Sequence, residues 1–283
     1  MTKIGLIDYY LAEWHAENYP AWLRRYNSEH GTDFEIAFAY GELEASPRSG
    51  KTTAEWCREF GAAACGSVAE VCEKSDVLMI LAPSNPEKHL AYAKIVLPYG
   101  KPTYIDKTFA PDFATATEIF ALAKAYGTPV FSSSALRFAT ELDGIAHAGN
   151  VIVTGGGSDF AEYLIHPLEM AVKLLGTGVL RARTERQGGQ YLVRAEWTGG
   201  RFATVVFAPK AEFSAEVEAA DGTHLHKPVR SEYFYALISD ICRFWKERMP
   251  SFDPAETLEI AALREAALNS RGEWVPVLRE GAR

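Results

Sequence analysis

Cysteine is scarce and poorly spaced for any joint task. Cys57, Cys65, Cys72 and Cys242 are the only four in 283 residues, and they form neither a metal-ligand spacing nor a disulfide framework. A reducing cytoplasm is therefore the expected home. No apolar run approaches the length a membrane helix needs, and Met1-Thr2-Lys3 leads straight into a strand-like segment with no signal peptide. Positive charge is also short. Lysine and arginine total 29 against 37 acidic residues, a formal charge of −8, which argues against nucleic acid or an anionic membrane as the main partner. Internal repeats, low-complexity tracts and long linkers are absent as well, so the chain reads as one large or two medium domains.

What is present is ordinary for a globular protein: 48% hydrophobic and 23% charged residues. Short apolar runs at 3–8 (KIGLID), 34–40 (FEIAFAY), 76–82 (DVLMILA), 103–106 and 129–132 read as buried strands. Helical stretches lie between them at 53–60, 68–74, 86–97 and 112–126, the third opened by Asn85 as N-cap with Pro86 behind it. Strands alternating with helices over residues 1–135 predict a doubly wound parallel sheet. Beyond that the pattern changes. Residues 179–187, 190–197, 201–208 and 212–219 read as successive strands with glycine-rich turns, an open antiparallel sheet. Long helices are expected at 232–248 and 254–270, and a short strand at 274–278 closes the chain. The second domain, 136–283, is thus α+β, and its last helix and strand could return to the first.

One stretch concentrates chemistry: Glu162-Tyr163-Leu164-Ile165-His166-Pro167-Leu168-Glu169. On a helix, its spacings put one imidazole on the same face as two carboxylates. A carboxylate-held imidazole suits proton transfer near neutral pH. Pro167 cannot donate to the carbonyl of Tyr163, so it belongs in the first turn, with Glu162 just before the helix proper. The plain alternative is a helix start whose acids complement the dipole. Two weaker signals come to less. Residues 45–52 fit a permissive phosphate-loop pattern, but the strand at 76–82 ends without the acid such a site needs. His224 and His226 share a strand face with no third ligand in view, so no metal site is expected.

Three segments in order resemble landmarks of the Gfo/Idh/MocA oxidoreductases: Ser84-Asn85-Pro86-Glu87-Lys88-His89, Gly100-Lys101-Pro102-Thr103-Tyr104-Ile105-Asp106-Lys107-Thr108, and the His166 octapeptide. The resemblance covers nearly the whole chain. It implies an N-terminal Rossmann-like domain, a C-terminal α+β domain and an NAD- or NADP-dependent oxidoreductase acting on a sugar, polyol or related hydroxy compound. It also implies that Lys107 polarises the reacting oxygen, that His166 is the acid/base group and that Glu162 stands where the family has Asp. Asp8, Tyr10, Glu42, Pro83, Asn85 and Asp106 fall at cofactor-binding positions, and Arg137 and Tyr163 at substrate positions. A homo-oligomer, dimer or tetramer, is expected through the exposed sheet face.

The departures from the family are specific. Its Gly-x-Gly-x-x-Gly loop is replaced by Asp8-Tyr9-Tyr10-Leu11-Ala12-Glu13. Glycines there make the tight turn, admit the pyrophosphate and allow close helix packing. Tyr10 would put a ring where phosphate belongs, and Asp8 and Glu13 would put two negative charges beside it. The family's Glu-Lys-Pro becomes Asp106-Lys107-Thr108. Two further readings therefore stay open: redox-neutral acid/base chemistry by Lys107, His166 and Glu162 without dinucleotide, or a non-catalytic sugar-sensing protein.

Overall fold

In the computed structural model, which describes residues 1–145, 148–219 and 221–277, six parallel strands carry the first unit. They run in the order β3-β2-β1-β4-β5-β6: β1 (Thr2–Asp8), β2 (Phe34–Gly41), β3 (Ala63–Ala64), β4 (Val77–Ile80), β5 (Thr103–Ile105) and β6 (Val130–Phe131). β1 is buried from Ile4 to Asp8 and β4 throughout, as expected where helices cover both faces of a sheet. The crossovers are α1 (Trp14–His30), α2 (Thr53–Phe60), α3 (Val68–Lys74), α4 (His89–Val96) and α5 (Phe113–Tyr126). Asn85 does not cap as expected. Its side chain makes no capping bond and donates instead to Glu87 at 2.9 Å, and the helix opens with a 3-10 turn, Pro86–Lys88.

The order 3-2-1-4-5-6 puts the change of winding direction between β1 and β4, so the crevice beyond the C-terminal ends of β1, β4 and β5 is where this architecture offers a ligand site. Asp8, Ala82 and Asp106 stand at those ends.

The first unit comprises Met1–Ser133 and Leu237–Ser251; the second comprises Ser134–Ala236 and the chain from Phe252 onward. The segment that returns to the first unit is therefore most of α8 (Tyr233–Glu247), not the closing helix and strand. Aromatic packing explains the return: Phe244 lies against Phe131 and Trp245 against Phe34, with centroids 5.4 and 5.6 Å apart. The closing helix, α9 (Pro254–Asn269), is capped by Asp253 as its sequence implies. It stays with the second unit, where Thr184 donates to the Ala267 carbonyl at 2.6 Å and Glu259 accepts from the Gly178 amide at 2.7 Å.

The second unit is built on seven strands in the order β12-β11-β7-β10-β9-β8-β13. The four expected strands are present as β8 (Val179–Gln187), β9 (Gln190–Trp197), β10 (Phe202–Phe207) and β11 (Ser214–Glu218). Three more join them: β7 (Val151–Gly155), β12 (His224–Pro228) and β13 (Val275–Pro276). The expected strand at 274–278 is thus shorter, and Leu278 lies outside the described residues. The sheet is not wholly antiparallel, because β7 runs parallel to β10. A parallel partner needs a long crossover, and the intervening chain supplies it with α6 (Phe160–Tyr163), α7 (Ile165–Leu175), β8 and β9.

Candidate functional site

In the first unit, Asp8 ends β1 with 1% of its surface exposed. Its Oδ1 accepts from the Tyr9 amide at 2.6 Å and from the Ala82 amide at 3.0 Å, tying the ends of β1 and β4 together. Its Oδ2 is buried without a hydrogen-bond partner. Burial, with the Glu13 carboxylate nearby, pushes the Asp8 carboxyl well above its ordinary range, so this group favours its neutral form. The pair of negative charges expected from Asp8 and Glu13 is therefore reduced towards one.

Glu13 is the N-cap of α1. It accepts from the Ala16 amide at 2.5 Å and the His15 amide at 2.9 Å, and its Oε2 lies 3.0 Å from His15 Nδ1. Amides at a helix N-terminus are what hold a pyrophosphate in a dinucleotide fold, and here they already donate to the protein's own carboxylate. Tyr10, Leu11 and Ala12 are buried. Glu42 accepts from Tyr92 at 2.6 Å and from Lys88, and these bonds, the lysine's first, hold its carboxyl below the usual range.

Asp106 is fully buried. Its Oδ1 accepts from Tyr104 at 2.9 Å. Its Oδ2, without a hydrogen bond, lies 3.8 Å from both Lys107 Nζ and His15 Nε2. Lys107 also donates to the Pro83 carbonyl at 3.3 Å, so Pro83 holds the lysine through its backbone. The Lys107–Thr108 peptide is cis although threonine follows. His89, which closes the Ser84–His89 segment, is buried between the carbonyls of Leu81 (2.6 Å) and Phe109 (3.0 Å); burial pushes its pKa down.

The first unit thus brings Glu13, His15, Asp106 and Lys107 into one array, of which Glu13 and His15 were not among the expected site residues. A glutamate directly before a helix start, with histidine two positions on, is the signal that could have found it. Lys51 of the permissive phosphate-loop pattern is paired with Glu59 at 2.5 Å.

In the second unit, α6 and α7 meet at Leu164, with Pro167 in the first turn of α7. His166 is buried, and the group at its Nδ1 is the Ser134 hydroxyl, 2.7 Å away. Glu169, expected on the histidine's face, is claimed elsewhere. Its Oε2 accepts from the Ser134 amide at 3.1 Å, and its Oε1 accepts from Arg137. Arg137 also donates to Glu256 at 2.8 Å and stacks 3.8 Å from the Phe252 ring centroid.

With 6% of its surface exposed, Arg137 is a buried tie between helices. Two carboxylates take its guanidinium, the arrangement of a structural tie beside the substrate contact expected of it. Tyr163 lies beside His166, with ring centroids 5.8 Å apart. Its ring needs a residue without Cβ at Gly157, where a Cβ would come within 2.1 Å of it. Glu162 is half-buried, and its amide donates to the capping Asp159. Among the described residues no cluster could hold a metal ion, and His226 faces the Glu216 carboxylate at the surface.

No protein-family model matches the chain. A curated protein of Escherichia coli (strain K12), the uncharacterized oxidoreductase YhhX, is 38% identical over 69 residues, 24% of this chain. The match spans 20% of that protein's length. Among solved structures, a probable dehydrogenase from Thermotoga maritima superposes with a TM-score of 0.80 at 13% identity, covering 97% of this chain and 99% of that one. The myo-inositol dehydrogenase of Lactobacillus casei, solved with NAD(H) and myo-inositol, gives 0.80 at 13% identity over 100% and 98%. These neighbours are dehydrogenases of the Gfo/Idh/MocA type, and at such identities the likeness is one of fold. The fold expected from the order of motifs is the fold observed.

Proposed function

We propose, from the dehydrogenase fold that the whole chain shares, that this protein is an oxidoreductase of the Gfo/Idh/MocA type acting on a sugar, polyol or related hydroxy compound. The observation that carries the reading is that likeness, over 100% of this chain, to a dehydrogenase solved with NAD(H) and myo-inositol. His166 is the acid/base group, Lys107 the cation that stabilises the reacting oxygen and Glu162 the catalytic carboxylate that goes with the histidine, while Tyr163, its ring centroid 5.8 Å from the imidazole, is a substrate contact. A cytoplasmic setting fits the four cysteines, all free and buried. Among the described residues no helix is long and apolar enough to cross a membrane. A homo-oligomer, dimer or tetramer, would form through the outer sheet face, where Ile152 and Phe202 are exposed.

NAD or NADP is the redox partner this reading implies, and the residues at the N-terminus of α1 do not fit its pyrophosphate. Glu13 takes the amides of His15 and Ala16, and Tyr10 fills the second glycine's place. This observation favours a second reading, in which the same groups carry redox-neutral proton transfer without dinucleotide: isomerisation, elimination or hydrolysis.

Calorimetric titration with NAD(H) and NADP(H) separates the two. Micromolar binding, with turnover of a polyol lost in His166→Asn, is the result expected of the first reading. Absence of binding up to millimolar concentration overturns it in favour of the second.

A further inference from the structure

We propose that Ser134 is a positioning residue that fixes the tautomer of His166, holding the proton on Nδ1 so that Nε2 is the basic nitrogen. The inference rests on the acid/base reading of His166. An acid/base histidine must offer the same nitrogen in both charge states, so its other nitrogen has to keep a proton throughout. The group facing that nitrogen must therefore accept. A carboxylate accepts only, and helical spacing nominates Glu162 or Glu169 for the task. Glu169 is taken by Arg137 and the Ser134 amide. The group found at Nδ1 is a hydroxyl at 2.7 Å, which has two lone pairs and one hydrogen.

The serine's position decides how the hydroxyl is used. Ser134 caps the 3-10 helix Ala135–Phe138, and its Oγ accepts from the Leu136 amide at 3.3 Å. Capping commits one lone pair of the oxygen to the Leu136 amide, and the same oxygen lies within hydrogen-bond distance of Nδ1; in the proposed arrangement the imidazole donates that second bond. The residue is fully buried and fixed through its backbone, since its amide donates to Glu169, which Arg137 grips in turn. His166 and Glu169, three residues apart on α7, thus hold one serine from one helix face: the ring at its hydroxyl, the carboxylate at its amide. A hydroxyl orients the imidazole without adding the negative charge that a carboxylate would bring.

The test is nitrogen-15 spectroscopy of the full chain labelled in its histidines, with His166→Asn identifying the resonance. The ring pattern is read above the pH at which the imidazole becomes neutral. The wild type is expected to show the Nδ1–H form, Ser134→Ala to shift the ring to the Nε2–H form or a mixture, and Ser134→Thr to retain the wild-type pattern. An Nε2–H ring in the wild type overturns the proposal, and so does a Ser134→Ala spectrum unchanged from it. If the alanine variant fails to fold, Ser134→Cys removes the strong acceptor at nearly constant size and is judged by the same criterion. Because no substrate enters the measurement, its failure is distinct from a failure to find turnover.

Discussion

Replacing Arg137 by methionine tests whether this arginine is a structural tie or a ligand contact. The guanidinium and the Glu169 side chain are 7% and 3% exposed, and Glu256 supplies a second carboxylate at 2.8 Å. Burial works against the arginine's charge, and the two carboxylates more than restore it, leaving the pKa above its ordinary value. Methionine keeps much of the volume over Phe252 and removes the charge. Glu169 is then left buried, with the Ser134 amide still donating to it. Breaking a buried pair from one side costs about 3–5 kcal/mol, mostly the cost of the stranded charge. For a domain of this size that corresponds to a fall in Tm of roughly 6–20 °C.

Adding Glu169→Gln removes the stranded charge, so the double variant is expected to recover stability relative to Arg137→Met, with a coupling of about 1–3 kcal/mol. Differential scanning calorimetry of the four proteins closes the cycle. An Arg137→Met protein that melts with the wild type and loses only ligand binding would refute the tie and restore the arginine as a substrate contact.

Two further perturbations address the first unit. Because burial and Glu13 raise the Asp8 pKa above 3.8, the folded chain prefers Asp8 protonated. Its contribution to stability is fully present below that value and is lost as pH rises through the folded pKa, at about 1.4 kcal/mol for each pH unit that separates the folded and unfolded midpoints. Asp8→Asn should flatten this fall and melt higher than the wild type at pH 8 but not at pH 3; a variant less stable at pH 8 would count against a neutral Asp8. Glu13→Gly removes the capping side chain at a cost of roughly a few tenths of a kcal/mol and returns the amides of His15 and Ala16 to solvent. It is expected to lower Tm slightly and to strengthen NADH binding, read by fluorescence titration. Unchanged NADH affinity would mean that Glu13 is not what closes the seat.

The first unit was legible because strands covered on both faces must be apolar at every position, and KIGLID and DVLMILA carry that signature without ambiguity. Two strands of the second unit lack any such signature: β12, glimpsed in the sequence only as the face shared by His224 and His226, and β7, which was not foreseen. β12 reads HLHKP and has no buried residue, so an edge strand held by backbone pairing leaves no alternation to find. β7 reads VIVTG and pairs in parallel with a strand some fifty residues later, so no hairpin turn announces it. The return of α8 to the first unit depends on Phe34 and Phe131, partners too distant in sequence for local periodicity to register.

The site shows the same limit at finer scale. Helical spacing correctly put His166 and Glu169 on one face, yet spacing cannot say which of several distant groups will claim each side chain. Ser134 and Arg137, some thirty residues upstream, divide the two between them. A carboxylate-held imidazole is also present in this chain at Glu13 and His15. There it stands in the crevice where a dinucleotide fold would present donors to phosphate. Asp8, Glu13 and Asp106 place carboxyl groups at that end of the sheet instead, and Lys107 and His15 each lie 3.8 Å from Asp106. Lys107 and His166 keep their places in the order of motifs, while the loop after β1 is a self-capped helix start.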